Sequence, residues 1–275
     1  RIAKQVTEIA EKTDAKFIIT TYEGNAWERL VYYCARRSDP SIKCFGYQHV
    51  AVFMHQKAIK RPLSKQYNPD IILTSGKISL SIFRDSKLHI NSKIFCLGSP
   101  KYLKPKLMLD RVGCCLVVPQ GTVLECLYLF ELSFAYAKKY QNQKFIWRLH
   151  PLLNFEKLKK HSSIFNKIPD NIYLSGCDLD EDVQKCDSVL YRGSTAVVSA
   201  INAGLKPIYY QQNIDELSID PIYQHQLGKE IVHNQKELNL ALNKAIDMES
   251  KQALQNFAQD FYTPLDVQVL KDAML

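Results

Sequence analysis

The sequence contains no run of about 18 uncharged apolar residues, the length that a membrane-spanning helix requires. It also lacks a secretory signal at its beginning, an internal repeat and a low-complexity tract. We therefore expect a protein of the cytoplasm. Apolar residues make up 46% of the 275 positions, which is enough for a sizeable core and argues against wholesale disorder.

Metal-binding patterns are also missing. None of the eight cysteines forms a Cys-X-X-Cys pair, and no cysteine and histidine spacing fits a zinc site. Several cysteines lie in apolar runs such as residues 114–118, which is typical of buried, reduced thiols. Asp178 and Asp180 have the letters of an Asp-X-Asp metal motif, but the pattern indicates the start of a helix. We expect neither a metal nor a cofactor.

No DNA- or RNA-binding motif accompanies the net charge of +8. The basic residues are scattered, apart from the segments 57–61 and 101–106. We interpret the charge as favouring phosphate-bearing ligands rather than nucleic acid, with a peripheral contact at the inner face of a membrane as a second expectation.

Short β-branched runs alternate with helical patterns along the whole chain. Strands are predicted at 16–20, 43–47, 70–74, 93–97, 114–118, 144–149, 171–174, 188–191 and 207–210. Helices are predicted at 1–13, 23–37, 123–140, 179–185, 194–203, 235–247 and 250–261. This alternation predicts an α/β fold with parallel sheets covered by helices on both faces.

The strands form two series, which predict two Rossmann-like domains. The first covers residues 1–111, and the second covers residues 112–275 with the terminal helices. The first series is short of strands, and the numbering starts at Arg1 rather than at a methionine. We therefore expect that the N-terminal domain is incomplete here and that the natural chain extends upstream.

The segment Tyr191-Arg192-Gly193-Ser194-Thr195 is the strongest local signal for a ligand site. A strand ends, Gly193 permits a tight turn, and a helix is predicted to begin with Ser194 as its N-cap. The N–H groups and dipole at a helix start attract anions, and the two hydroxyls could add hydrogen bonds to a phosphate. A plain helix cap is an equally good interpretation of these residues.

The segment Arg148-Leu149-His150-Pro151 follows another predicted strand. His150 could donate a hydrogen bond to a phosphate or protonate a leaving group, and Arg148 could add positive charge. A histidine that merely ends a strand is the alternative. Parallel strands bring their carboxyl ends to one edge of a sheet, so both segments should share a ligand crevice. We expect its rim to include Gln120, Gly121 and Gly176.

The first predicted domain offers acid and base candidates after its own strands. Glu23 is the better candidate for a general base, and His49 is a weaker one. Asn25, Glu28 and Gln48 are expected to line the acceptor side. Glutamates also favour helix N-termini for structural reasons, which is a serious alternative for Glu23 and Glu28.

These residues together resemble bacterial GT-B glycosyltransferases of surface-carbohydrate biosynthesis, for capsule or lipopolysaccharide. The resemblance covers most of the chain and rests on His150-Pro151, Ser194-Thr195 and the segments 23–28, 46–49 and 68–76. In these motifs the sequence is similar to polysialyltransferases and Kdo transferases, which have a His-Pro motif and a later pair of hydroxyl residues. Here the second motif is Arg-Gly-Ser-Thr rather than Ser-Ser, which leaves the sugar donor open.

The resemblance implies a GT-B-like fold with two domains facing across a cleft. It further implies a metal-independent transfer from a nucleotide sugar, favouring a CMP-sugar, to an oligosaccharide or lipid-linked glycan. His150 and the hydroxyls of Ser194 and Thr195 would hold the nucleotide. A glycerophosphotransferase, a sugar-nucleotide epimerase and a non-catalytic nucleotide-binding protein remain the alternatives.

Overall fold

The computed structural model describes residues 1–61, 63–86, 91–105 and 113–275. Its helices are α1 (Ile2–Thr13), α2 (Ala26–Ser38), α3 (Lys57–Lys60), α4 (Lys77–Asp85), α5 (Val123–Lys139), α6 (Phe155–Lys159), α7 (Leu179–Lys185), α8 (Ala196–Asn202), α9 (Gln235–Asn243), α10 (Met248–Phe261) and α11 (Val267–Met274). Its strands are β1 (Phe17–Thr21), β2 (Lys43–Gln48), β3 (Ile71–Thr74), β4 (Lys93–Cys96), β5 (Cys114–Val118), β6 (Lys144–Trp147), β7 (Ile172–Leu174), β8 (Ser188–Tyr191), β9 (Lys206–Tyr210) and β10 (Glu230–Val232).

The described chain divides into two compact units. Unit 1 comprises Arg1–Val52, Gln56–Tyr102 and Asp260–Leu275, and unit 2 comprises Phe53–His55 and Leu103–Gln259. The boundary that we expected between residues 111 and 112 falls outside the described residues. The placement of 260–275 differs from the expectation, which assigned all terminal helices to the second domain.

Unit 1 contains a parallel sheet with the strand order β1-β2-β3-β4. One face is covered by a cluster that includes Tyr32 and Ile72. The other face holds Phe45 and Leu73, and α11 packs its apolar side against them. The segment leading into α11 is tied to the sheet, because Asp266 N donates to Leu97 O at 2.8 Å. These contacts place the last helix with unit 1.

Close backbone packing fixes this returning segment. Gly98 has φ +86°, and a Cβ at this position would collide with the carbonyl of Pro264. Ser99 N also donates to Thr263 O at 2.9 Å. Gly98 is therefore required both by its left-handed backbone and by the approach of the C-terminal segment.

Unit 2 contains a parallel sheet with the strand order β10-β9-β8-β5-β6-β7. Every residue of β5, β8 and β9 is buried, as expected for central strands of a parallel sheet, and β5 is a continuous apolar run in the sequence. Trp147 of β6 is fully buried and stacks on Phe130 of α5 with ring centroids 4.3 Å apart. Its indole N–H donates to Ser133 Oγ at 2.9 Å, so this buried donor has a hydrogen-bond partner in the core.

Both sheets are parallel and flanked by helices, as the alternation predicted. None of the helices in the described residues combines the length and apolar character needed to cross a membrane. The sequence did not predict β10, α3, α4, α6 or α11, and α8 starts two residues later than expected, at Ala196.

Candidate functional site

The strand order of unit 2 creates a single point at which the chain direction across the sheet reverses. From β5 the chain proceeds outward to β6 and β7, and then returns to β8 on the other side of β5 before continuing to β9 and β10. In open α/β sheets, ligands bind beyond the carboxyl ends of the strands at such a switch point. Here these ends are Val118 of β5 and Tyr191 of β8.

The loop after β5 contacts both segments that the sequence singled out. A Cβ built on Gly121 would lie 3.0 Å from His150 Nδ1, so the imidazole packs directly on this glycine. A Cβ built on Gly193 would lie 2.6 Å from Gln120 Oε1. Gln120 and Gly121 thus have His150 on one side and Gly193 on the other. The structure brings these four residues together at the switch point.

The ring of His150 is held in one orientation. It is half-buried, and its Nδ1 accepts a hydrogen bond from Leu152 N at 3.2 Å. The neutral imidazole with this bond carries its proton on Nε2, which can donate to a ligand oxygen. Pro151 is exposed and forms the turn after His150, where Leu153 N donates to His150 O at 2.9 Å.

Ser194 and Thr195 lie at the start of α8, after Gly193. Ser194 is buried, and its Oγ accepts a long hydrogen bond from Ala196 N at 3.4 Å. Thr195, not Ser194, occupies the N-cap position, and its side chain makes no capping hydrogen bond. The Thr195 hydroxyl is therefore not committed to capping the helix.

Arg192 was predicted to bind the ligand, but the structure pairs its guanidinium with carboxylates of the protein. Its side chain is 6% exposed and forms ion pairs with Glu125 and Glu216. The guanidinium also lies 5.4 Å from the ring centroid of Tyr128. Burial raises the pKa of Glu125, and the charge of Arg192 opposes this shift. Arg192 is thus engaged in an ion-pair network within the protein and does not serve as a free ligand-binding cation.

Arg148 is likewise committed to a structural contact. Its Nη1 donates to Asp182 Oδ2 at 2.8 Å, to Ser175 Oγ at 3.1 Å and to Cys177 O at 2.6 Å. The Asp182 side chain is 1% exposed, so this ion pair fixes the loop after β7. Gly176 lies in that loop, and a Cβ added to it would meet no atom within 4 Å. The contacts of Arg148 therefore hold this loop in place, while the space around Gly176 stays open.

In unit 1, the predicted acceptor-side residues are largely structural. Glu28 is fully buried, and its carboxylate accepts hydrogen bonds from Glu23 N at 3.1 and 3.0 Å and from Asn25 N at 2.8 Å. It therefore caps α2 rather than facing a substrate. Gln48 is also fully buried; its Nε2 donates to Val50 O, and its Oε1 accepts from Ser75 Oγ. Asn25 is exposed at the N-cap of α2.

The two predicted bases of unit 1 keep their place after strand ends. Glu23 is half-buried, and the Glu28 carboxylate positions its backbone. His49 is half-buried, with its ring centroid 6.3 Å from that of Tyr47. Its Nδ1 is a buried atom without a hydrogen-bond partner among the described residues. Their catalytic roles remain predictions.

Known structures share this architecture at low sequence identity. The glycosyltransferase SnogD from Streptomyces nogalater is 12% identical, with a TM-score of 0.61 over 99% of this chain and 76% of that chain. The glycosyltransferase of kitacinnamycin is 11% identical, with a TM-score of 0.64 over 100% and 80% of the two chains. A UDP-GlcNAc 2-epimerase from Methanocaldococcus jannaschii is 14% identical, with a TM-score of 0.55 over 93% and 79%.

The fold is GT-B-like. No protein-family model matches the chain, and no curated protein sequence matches it.

Sequence reasoning missed the residues that support the site of this GT-B-like chain. Glu125 and Glu216 are 67 and 24 positions away from Arg192, and Asp182 is 34 positions away from Arg148. One signal was available: Thr122 and Glu125 have the spacing of a capping box, and the Thr122 side chain does accept from Glu125 N at 3.3 Å. That spacing locates the start of α5 but does not reveal the partner of the Glu125 carboxylate.

Proposed function

We propose that the chain is a glycosyltransferase that moves a sugar from a nucleotide sugar to a hydroxyl group of a glycan. The contact of the Gln120-Gly121 loop with both His150 and Gly193 carries this proposal, since it gathers polar groups at the switch point of unit 2. The GT-B-like fold supports it, because two of the structural neighbours described above are glycosyltransferases.

The nucleotide is proposed to bind to unit 2. His150 Nε2–H would donate to a phosphate oxygen, and the Thr195 hydroxyl and the backbone around Gly193 would complete the phosphate contacts. Since Arg148 and Arg192 are paired with carboxylates, His150 has to supply a larger share of the stabilisation than the sequence suggested. A preorganised donor of this kind stabilises the charge that develops on the departing phosphate.

The proposed reaction joins the acceptor oxygen to the anomeric carbon of the sugar and breaks the bond from that carbon to the phosphate oxygen. A general base removes the acceptor proton, and Glu23 is the proposed base, with His49 as the second candidate. No step is assigned to a metal or cofactor. The expectation of a surface-glycan acceptor, oligosaccharide or lipid-linked, rests on the sequence resemblance alone.

A sugar-nucleotide epimerase is the second candidate function. The M. jannaschii UDP-GlcNAc 2-epimerase, solved with UDP-GlcNAc and UDP, has the same fold. Product analysis with and without an acceptor separates the two functions. An epimerase converts the sugar nucleotide into its isomer without an acceptor, whereas a transferase releases nucleotide in proportion to the glycan added.

The first experiment is a thermal-shift screen against CMP, CDP, UDP and GDP, because a bound nucleotide stabilises the folded chain by mass action. His150→Ala should then lower the affinity for the stabilising nucleotide and abolish transfer while the protein remains folded. His161→Ala is the matched control, because His161 is an exposed histidine of the same unit. Wild-type affinity and turnover in His150→Ala would refute the site.

A further inference from the structure

Two buried thiols lie side by side at the end of the unit 2 sheet opposite the switch point. Cys114 is the first residue of β5, and Cys186 follows α7 just before β8. Their Sγ atoms are 3.2 Å apart. The neighbouring backbone is also fixed, because Asp187 N donates to Cys114 O at 2.9 Å.

This arrangement meets the main geometric requirement of a disulfide. β5 and β8 are adjacent parallel strands with Cys115 opposite Ser188, so Cys114 lies level with Asp187 and is offset by one residue from Cys186. With strands about 4.8 Å apart and a rise of about 3.3 Å per residue, the Cα atoms of the two cysteines are roughly 6 Å apart. Disulfides join residues whose Cα atoms are roughly 4.4–6.8 Å apart, with an S–S bond of about 2.05 Å. The two sulfur atoms would need to approach by only ~1 Å, which small side-chain rotations can supply.

We propose that Cys114 and Cys186 form a reversible disulfide that links β5 to β8 under oxidising conditions. This modification site is separate from the proposed catalytic function, because it lies at the amino ends of strands whose carboxyl ends form the ligand crevice. A bond here would join the two strands that define the switch point.

The two cysteines are suited to different steps of such a reaction. Cys114 is 8% exposed and lines a cavity of about 420 Å³ together with Lys144, Tyr173 and Lys185. The hydrogen bond from the Cys186 thiol lowers the pKa of Cys114, and the charge of Lys144 contributes to the shift. Cys114 is therefore the attacking thiolate, and the fully buried Cys186 is the resolving thiol.

A small disulfide such as oxidised glutathione balances the chemistry. The Cys114 thiolate attacks one sulfur of the reagent, which forms a mixed disulfide and releases one glutathione thiolate. The Cys186 sulfur then attacks Cys114 Sγ and passes its proton to the departing second glutathione. Two protein thiols lose two electrons in total, and one small disulfide is reduced to two thiols.

Other cysteines of unit 2 provide internal comparisons. Cys177 lines the same cavity, but its Sγ contacts Asp182 Oδ1 at 3.0 Å and Lys185 Nζ at 3.3 Å. It should form a mixed disulfide with glutathione rather than a protein cross-link. Cys126 is fully buried in α5, and burial raises its pKa to about 12, so it should stay reduced.

The test uses the full chain, incubated with oxidised glutathione at about pH 8, near the ordinary pKa of a thiol. Peptide mass mapping after alkylation should show a Cys114–Cys186 linkage that dithiothreitol reverses. The thermal midpoint should rise by roughly 10 °C, because the bond closes a long loop in the unfolded chain.

Cys114→Ser and Cys186→Ser should each abolish the linkage and the rise, while Cys126→Ser should retain both. A glutathione adduct on Cys114 without the linkage would overturn the proposal. The same holds if both thiols stay unmodified after incubation with oxidised glutathione. A linkage without a rise in the midpoint would overturn its role in joining the strands. The peptide map of the unmodified sequence decides the matter even if a variant does not fold.

Discussion

The contact between Gly121 and His150 permits a sharp test of the proposed phosphate site. In Gly121→Ala, the new Cβ would lie 3.0 to 3.2 Å from three atoms of the imidazole, so the ring has to move by a few tenths of an ångström. Such a shift weakens the hydrogen bond from Leu152 N to His150 Nδ1 and turns Nε2 away from its ligand. The backbone itself tolerates alanine, because Gly121 is not among the glycines with positive φ.

The size of the effect follows from the bond at risk. A hydrogen bond to a charged group contributes about 1.5–3 kcal/mol, and each ~1.4 kcal/mol is a factor of ten in affinity. A displaced ring loses part of that bond, so we expect the nucleotide dissociation constant to rise about tenfold. The free energy of unfolding should change little. The strain of the displaced ring is offset because alanine restricts the unfolded chain, which stabilises the folded state by roughly 0.4–1 kcal/mol.

The measurement is calorimetric titration with the nucleotide that gives the largest thermal shift. A double-mutant cycle supplies the control: in a His150→Ala background the ring is absent, so Gly121→Ala should cause no further loss. Equal losses in both backgrounds would show that the methyl group acts on the ligand directly. No loss in either background would refute the contact as a determinant of binding.

Three other changes test residues outside the contact between Gly121 and His150. Arg192→Met should destabilise the fold by about 3–5 kcal/mol, because Glu125 and Glu216 lose the cation that they share. Thermal unfolding measures this loss. A variant of normal stability with weak nucleotide affinity would instead show that Arg192 contacts the ligand. Burial lowers the pKa of His225 below its ordinary value of 6.5, and the hydrogen bond to the Leu227 carbonyl opposes this shift. The neutral His225 therefore contributes to stability above pH 6.5, and this contribution is lost as the pH falls below 6.5. Urea unfolding between about pH 7.5 and about pH 5.5 should therefore show a smaller fall in stability for His225→Gln than for the unmodified protein, and equal falls would contradict the assignment. Glu23→Gln should reduce kcat by about 100-fold or more with little change in KM, whereas the exposed Glu11→Gln of the same unit should not; full activity of Glu23→Gln would favour His49 as the base.

Local sequence determined the fold class and most of the elements. The strands β5 and β8 match their predicted bounds, because strands buried on both faces are short and mostly apolar. The position of His150 and Gly193 at strand ends was also readable, since it depends only on where each run stops. Their convergence at one edge followed from the parallel sheet that the alternation implied.

Tertiary structure decided which of the predicted ligand-binding groups are instead engaged in contacts within the protein. Arg148 and Arg192 look like ligand-binding cations in sequence, but each is paired with a carboxylate brought close by the strand order. The return of α11 to unit 1 depends on apolar contacts with Phe45 and Leu73, more than 190 positions away. A sequence pattern records the period and polarity of each segment, whereas these partnerships arise only when distant segments are packed together.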